Sequence, residues 1–68
     1  MLASLSVAEK NLARAQGKRL NSTQSDLAAK VRGFIDDARS AGHDGDWTRA
    51  RSLATKAQVL SEELVASL

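Results

Sequence analysis

The segment Gly45-Asp46-Trp47-Thr48-Arg49-Ala50, continued by Ala54, Lys56-Ala57 and Leu60, decides how this chain folds. Ala50, Ala54 and Ala57 recur at helical spacing and therefore share one face. A stripe of alanines lets a neighbouring helix approach to the short end of the ~8 to 10 Å range of interaxial distances. Asp46 suits the N-cap of this helix, with Asp44 as the alternative, and the helix is predicted over about 46–67.

Upstream of that segment, Leu27, Val31, Phe34, Ala38 and Ala41 are spaced four, three, four, three, a coiled-coil-like seam on a second helix over about 24–41. Thr23 with Asp26 resembles a capping box at its start. Gly42 stands where it would stop the helix, and His43-Asp44-Gly45 has turn chemistry. An antiparallel hairpin centred near residue 44 would set Ala41 against Trp47, Ala38 against Ala50, Phe34 against Leu53 or Ala54, Val31 against Ala57, and Leu27 against Leu60 or Ser61. Large side chains then mostly meet small ones, as interdigitating layers require. Asp37 falls opposite Arg51 in the same register.

The first helix is predicted over about 4–20, from Leu2, Leu5, Ala8, Leu12, Ala13, Gln16 and Leu20. Gly17 weakens its last turn, and Asn21-Ser22-Thr23 reads as a break. Helix three outlasts helix two, leaving Leu64 and Leu68 opposite Gln24 and Leu20. Helix one folded back over the hairpin would complete an all-α antiparallel three-helix bundle. In a rival arrangement residues 4–41 form one bent or continuous helix, and the exposed stripe of helix one pairs with a second chain.

Residues Gly45-Asp46-Trp47, Ala50, Ala54, Ala57 and Leu60 resemble the second helix of a tetratricopeptide repeat, and Phe34 and Ala38 resemble aromatic and small positions of its first helix. The likeness covers about 31–60 and implies a repeat-like helical hairpin. It departs from the pattern at Ala41, usually aromatic, at Glu62, usually proline, and in having no second copy. With its ending of Gly45-Asp46, Arg49-Ala50, Leu53-Ala54, Lys56-Ala57, Leu60 and Glu63-Leu64, the chain as a whole also resembles short three-helix modules of bacterial cell-envelope proteins of unassigned function.

Sixty-eight residues make one small domain or a fragment of a longer chain. Below ~70 to 80 residues a single apolar core gives little stability, and with no cysteine there is no disulfide to add to it. Marginal stability or self-association is expected. Residues 1–8 have neither a basic leader nor a long apolar run, so neither a signal peptide nor a membrane span is visible. Ten Lys and Arg against eight Asp and Glu are nearly balanced. The excess is local, because Lys10, Arg14, Lys18 and Arg19 on helix one face only Glu9.

Little in the sequence points to chemistry. His43, Asp44 and Asp46 lack the ligand number and spacing of a metal loop and read as turn and cap residues. Asp36 and Asp37 project about 100° apart on a helix and cannot oppose each other as acid and base. No serine lies in a nucleophile elbow. Neither a cofactor nor a metal nor enzymatic activity is expected. Trp47 reads as a packing residue at the hairpin corner. A non-catalytic interaction or self-assembly module is the leading expectation, with a protein partner or a second copy meeting Leu2, Leu5, Leu12, Leu64 and Leu68. The alternative is a small basic nucleic-acid-binding protein using Lys10, Arg14, Lys18 and Arg19. It is disfavoured because helix one lacks aromatics interleaved for stacking.

Overall fold

In the computed structural model, which describes residues 3–68, the chain forms α1 (Ala3–Gln16), α2 (Ser22–His43) and α3 (Trp47–Ala66). It is an all-α three-helix bundle, with no strand among the described residues. The α2/α3 hairpin makes the most extensive packing; α1 lies mainly along α3 and only lightly on α2. The break between α1 and α2 excludes the continuous helix over 4–41. The bundle measures 36 × 18 × 15 Å.

The helix ends correct the sequence reading in three places. α1 stops at Gln16, before Gly17 and four residues short of Leu20, with the Lys18 N–H donating to the Ala15 carbonyl at 3.0 Å. The cap of α2 is Asn21, not Thr23. The Asn21 side chain accepts from the Gln24 N–H at 2.8 Å, while Gln24 Oε1 accepts from the Asn21 N–H at 2.9 Å. This is the same reciprocal motif that Thr23 and Asp26 suggested, placed two residues earlier. Gln24 has the reach to return to the cap, which the shorter Asp26 lacks, and asparagine is a better N-cap than threonine.

The third correction lies at the hairpin. α2 passes through Gly42 and ends at His43; Gly45, with φ +79°, takes the left-handed position just past the end. The Gly45 N–H donates to the Gly42 carbonyl at 3.1 Å and the Asp46 N–H to the Ala41 carbonyl at 2.8 Å. These two bonds make a Schellman motif, which satisfies carbonyls that the helix end would otherwise strand. Asp46 then caps α3, as expected, by accepting from the Arg49 N–H at 3.2 Å.

Because α2 runs to His43, the hairpin pivots nearer residue 45 than 44, and facing residues shift accordingly. Trp47 lies against Gly42 rather than Ala41: a Cβ added at Gly42 would meet the indole Cζ3 at 3.4 Å. Gln24 meets Ser67 rather than Leu64, donating to the Ser67 carbonyl at 2.8 Å. The expected Asp37–Arg51 pair does not form. Among the described residues the ion pair joins Arg39 to Glu9 at 2.7 Å, across α2 and α1. Both side chains are exposed, so it contributes only ~0 to 1 kcal/mol.

The core is built on alanine. Ala50, Ala54 and Ala57 are buried on α3, Ala8 and Ala15 on α1, and Ala28, Ala38 and Ala41 on α2. Val31, Ile35, Leu12 and Leu64 supply the larger buried apolar side chains. The α2 seam is therefore rotated from the expected one: Ala28 and Ile35 are buried, whereas Leu27 and Phe34 are only half-buried. Helix α2 must face α1 as well as α3, and this turns its centre line by about one residue. On α1, Ala15 is buried, while Ala13 and Gln16 are exposed. Ser61 is fully buried, accepting from Asn11 Nδ2 at 3.1 Å and donating to the Gln58 carbonyl at 2.7 Å. The bond from Asn11 holds α1 in register on α3.

Two substitutions test this account by chemical denaturation followed by far-UV circular dichroism. Gly45→Ala is expected to destabilise by ~1 to 2 kcal/mol, because φ +79° crowds a Cβ. Leu64→Ala, at a fully buried site, is expected to cost ~2 to 5 kcal/mol, enough to unfold much of a marginal chain.

Candidate interaction surface

A core of small side chains has little room for an aromatic ring, and Phe34 sits at its rim between α2 and α3. It is half-buried, with Leu60 beside it and Lys56 Nζ 6.0 Å from the ring centroid. Val59, 49% exposed, continues the apolar strip on α3, and Thr55 closes one side. Phe34 and Leu60 also line the adjoining groove, together with Lys30, Gly33 and Asp37.

Lys30, Gly33, Phe34 and Asp37 follow the i, i+3, i+4, i+7 pattern of one helical face. Gly33 is the unexpected member of this set. It lies inside α2, where glycine lowers helix stability, and a Cβ there would meet no atom within 4 Å. No packing within the described residues requires its small size. The groove is thus open at Gly33, apolar at Phe34 and Leu60, and bears a cation one turn to one side and a carboxylate one turn to the other.

The residues singled out from the sequence separate into groups. Leu12 and Leu64 belong to the core, with Leu64 fully buried, and so are not available to a partner in the folded chain. The reason is the fold itself, in which α1 covers the surplus length of α3 within one chain. Leu5 is half-buried against the core, Leu68 is 42% exposed, and Leu2 lies outside the described residues. Arg14, Lys18 and Arg19 come together around a groove with Gln24, Val65 and Ser67, whereas Lys10 is exposed outside that groove. Trp47 is 62% exposed, packing against Gly42 while much of the ring remains in solvent. His43, Asp44 and Asp46 form no metal-binding group, and none occurs among the described residues.

Gly33, Val59 and the placing of Lys30 and Asp37 on one groove are absent from the sequence reading, which sets Asp37 opposite Arg51. The available signal was a glycine inside an otherwise strong helix, with an apolar residue one position from the α3 seam. No helix of the described residues is long and apolar enough to cross a membrane. No family model, curated protein or solved structure matches the chain.

Since Gly33 is exposed and has open space beside it, Gly33→Ala is expected to stabilise the isolated chain by ~0.5 to 1 kcal/mol. A denaturation midpoint measured at the lowest workable concentration checks this. An unchanged or lowered midpoint would show that the glycine has a role within the monomer.

Proposed function

We propose that the chain is a non-catalytic interaction or self-assembly module that engages a protein partner, a second copy included, through the α2/α3 face. The observation that carries the reading is the strip of Phe34, Leu60 and Val59, apolar surface left outside the core. A bundle this small gains from covering such a strip, because each Å² of apolar area removed from water contributes roughly 25 cal/mol. The five leucines picked from the sequence give way in this proposal to Phe34, Val59 and Leu60; Leu68 remains a peripheral candidate.

A second reading takes the groove between Arg14, Lys18 and Arg19 as a phosphate-binding surface for nucleic acid. It ranks below the first because three cations give only a shallow, salt-dependent attraction, with no aromatic on that groove for bases to stack on.

Sedimentation velocity across a concentration series, with helicity recorded on the same samples, tests the leading reading. The expected result is a concentration-dependent dimer that is weakened by Val59→Lys, a change at an exposed site that leaves the monomer folded. A folded monomer at every concentration would remove self-assembly. Retention of single-stranded DNA at low salt, lost in Arg14→Ala/Lys18→Ala, would favour the second reading.

A further inference from the structure

We infer that the occupant of the α2/α3 groove is a second copy of this chain, docked antiparallel about a two-fold axis that passes beside Gly33 and Phe34. The inference rests on the self-assembly reading above and specifies its geometry. A two-fold axis makes an interface isologous, so every residue contact occurs twice with the partners exchanged. When two α2 helices cross antiparallel between residues 33 and 34, facing residues have numbers that add to 67. Gly33 of each chain then meets Phe34 of the other, and Lys30 of each meets Asp37 of the other.

Both matches are of the kind an interface needs. Gly33 offers an unfilled space on an exposed helix face, and a bulky ring from the second copy has a place to lie. Lys30 and Asp37 both line the groove, and neither forms an ion pair among the described residues. Each stands three to four residues from the crossing, roughly 5 Å along the helix at 1.5 Å per residue. The charge pattern is thus self-complementary under the two-fold and repulsive in a parallel arrangement, where Lys30 would face Lys30 and Asp37 would face Asp37. Phe34, Leu60 and Val59 supply the apolar centre, with the charged pair at its margin, as in an apolar interface core ringed by polar residues.

The size of the chain sets the strength of such a dimer. The apolar centre is three side chains, Phe34, Leu60 and Val59, against the ~20 to 30 residues that each partner contributes to a standard stable interface. The dimer is therefore weak, forming as concentration rises, and the charged pair decides its orientation more than its affinity.

Charge exchange tests the geometry. Both residues are exposed on the surface of α2, so the variants are expected to retain wild-type helicity. Lys30→Asp sets a new carboxylate against Asp37 at both ends of the interface, and Asp37→Lys sets a new ammonium against Lys30. Each variant alone is expected to dimerise roughly tenfold or more weakly than wild type, since juxtaposed like charges penalise an interface strongly. An equimolar mixture of the two is expected to recover association as a heterodimer, because both pairs are then opposite in sign. The double variant Lys30→Asp/Asp37→Lys should dimerise with itself. Gly33→Leu, which fills the space for the ring, should weaken the dimer while keeping the helix.

A wild-type dimer unaffected by either single reversal would overturn this geometry and leave self-assembly in place. So would weakened single variants that fail to associate when mixed. A wild-type chain that stays monomeric throughout would overturn both the geometry and self-assembly.

Discussion

Close approach of helix backbones along a seam of alanines is the constraint on which the rest of this structure depends. With Ala38, Ala41, Ala50, Ala54 and Ala57 buried between α2 and α3 or against α1, the space between helices is narrow. Such a seam gains dispersion contacts between backbones but contains few methylene groups, so its apolar burial per residue is small. The larger buried side chains gather in one cluster, where Val31, Ile35 and Leu64 join Leu12 of α1. Phe34 packs only against its edge. Its ring is held at the rim, partly covered by the Lys56 side chain, whose ammonium lies at the outer limit of a cation–π contact. The partly exposed apolar strip follows from the narrow seam.

The seam works only if the two helices are held in one register, and the turn does this with backbone chemistry. Gly45 accepts a conformation that crowds other residues, Ala41 and Gly42 have their carbonyls satisfied, and Asp46 caps the next helix without an intervening linker. At the far end the Asn21/Gln24 box begins α2, and Gln24 reaches on to Ser67, the C-cap of α3. Each end of the hairpin is thus pinned by polar groups, and the middle is left to alanine. The Asn11–Ser61 hydrogen bond adds α1 to the same register, with both polar groups satisfied in a partly buried setting.

Much of the architecture could be read from the sequence because periodicity and small-residue spacing are local properties. The stripe at Ala50, Ala54 and Ala57 located α3, and Asp46 was identified as its cap. The break at Asn21 was legible as a break. The cap within it was not, because Asn21 and Thr23 both offer an acceptor and only the reach of the residue three positions on separates them. The sequence reading ends α2 at about residue 41, two residues short of His43, because a glycine closes a Schellman motif only when its backbone is left-handed, and here that glycine is Gly45. This small error moved the hairpin register and led to the Asp37–Arg51 pair that does not form. It also concealed the rotation of the α2 seam that buries Ile35 and half-exposes Phe34. Two of the five candidate interaction leucines, Leu12 and Leu64, lie in the core for a related reason: they are surplus to a hairpin but not to a bundle. Which face remains uncovered depends on how the third helix lies, and that is a property of all three helices together.

The charge pattern on α2 gains meaning only after that face is known. On an isolated helix Lys30 and Asp37 are two solvated groups seven residues apart, too distant in sequence to be a favoured intrahelical pair. The bundle places them at either end of one groove with an apolar centre and a glycine beside the ring. A solvated charge near an apolar strip limits non-specific association, since an arbitrary apolar partner must desolvate it without return. The same charge favours a surface that presents its opposite at the matching position. In the proposed dimer an antiparallel copy of α2 would present Asp37 where Lys30 needs it and Lys30 where Asp37 needs it, so that one helix would carry both halves of its own recognition. The apolar strip would then supply attraction without direction, and the reciprocal pair the direction that the alanine seam beneath cannot.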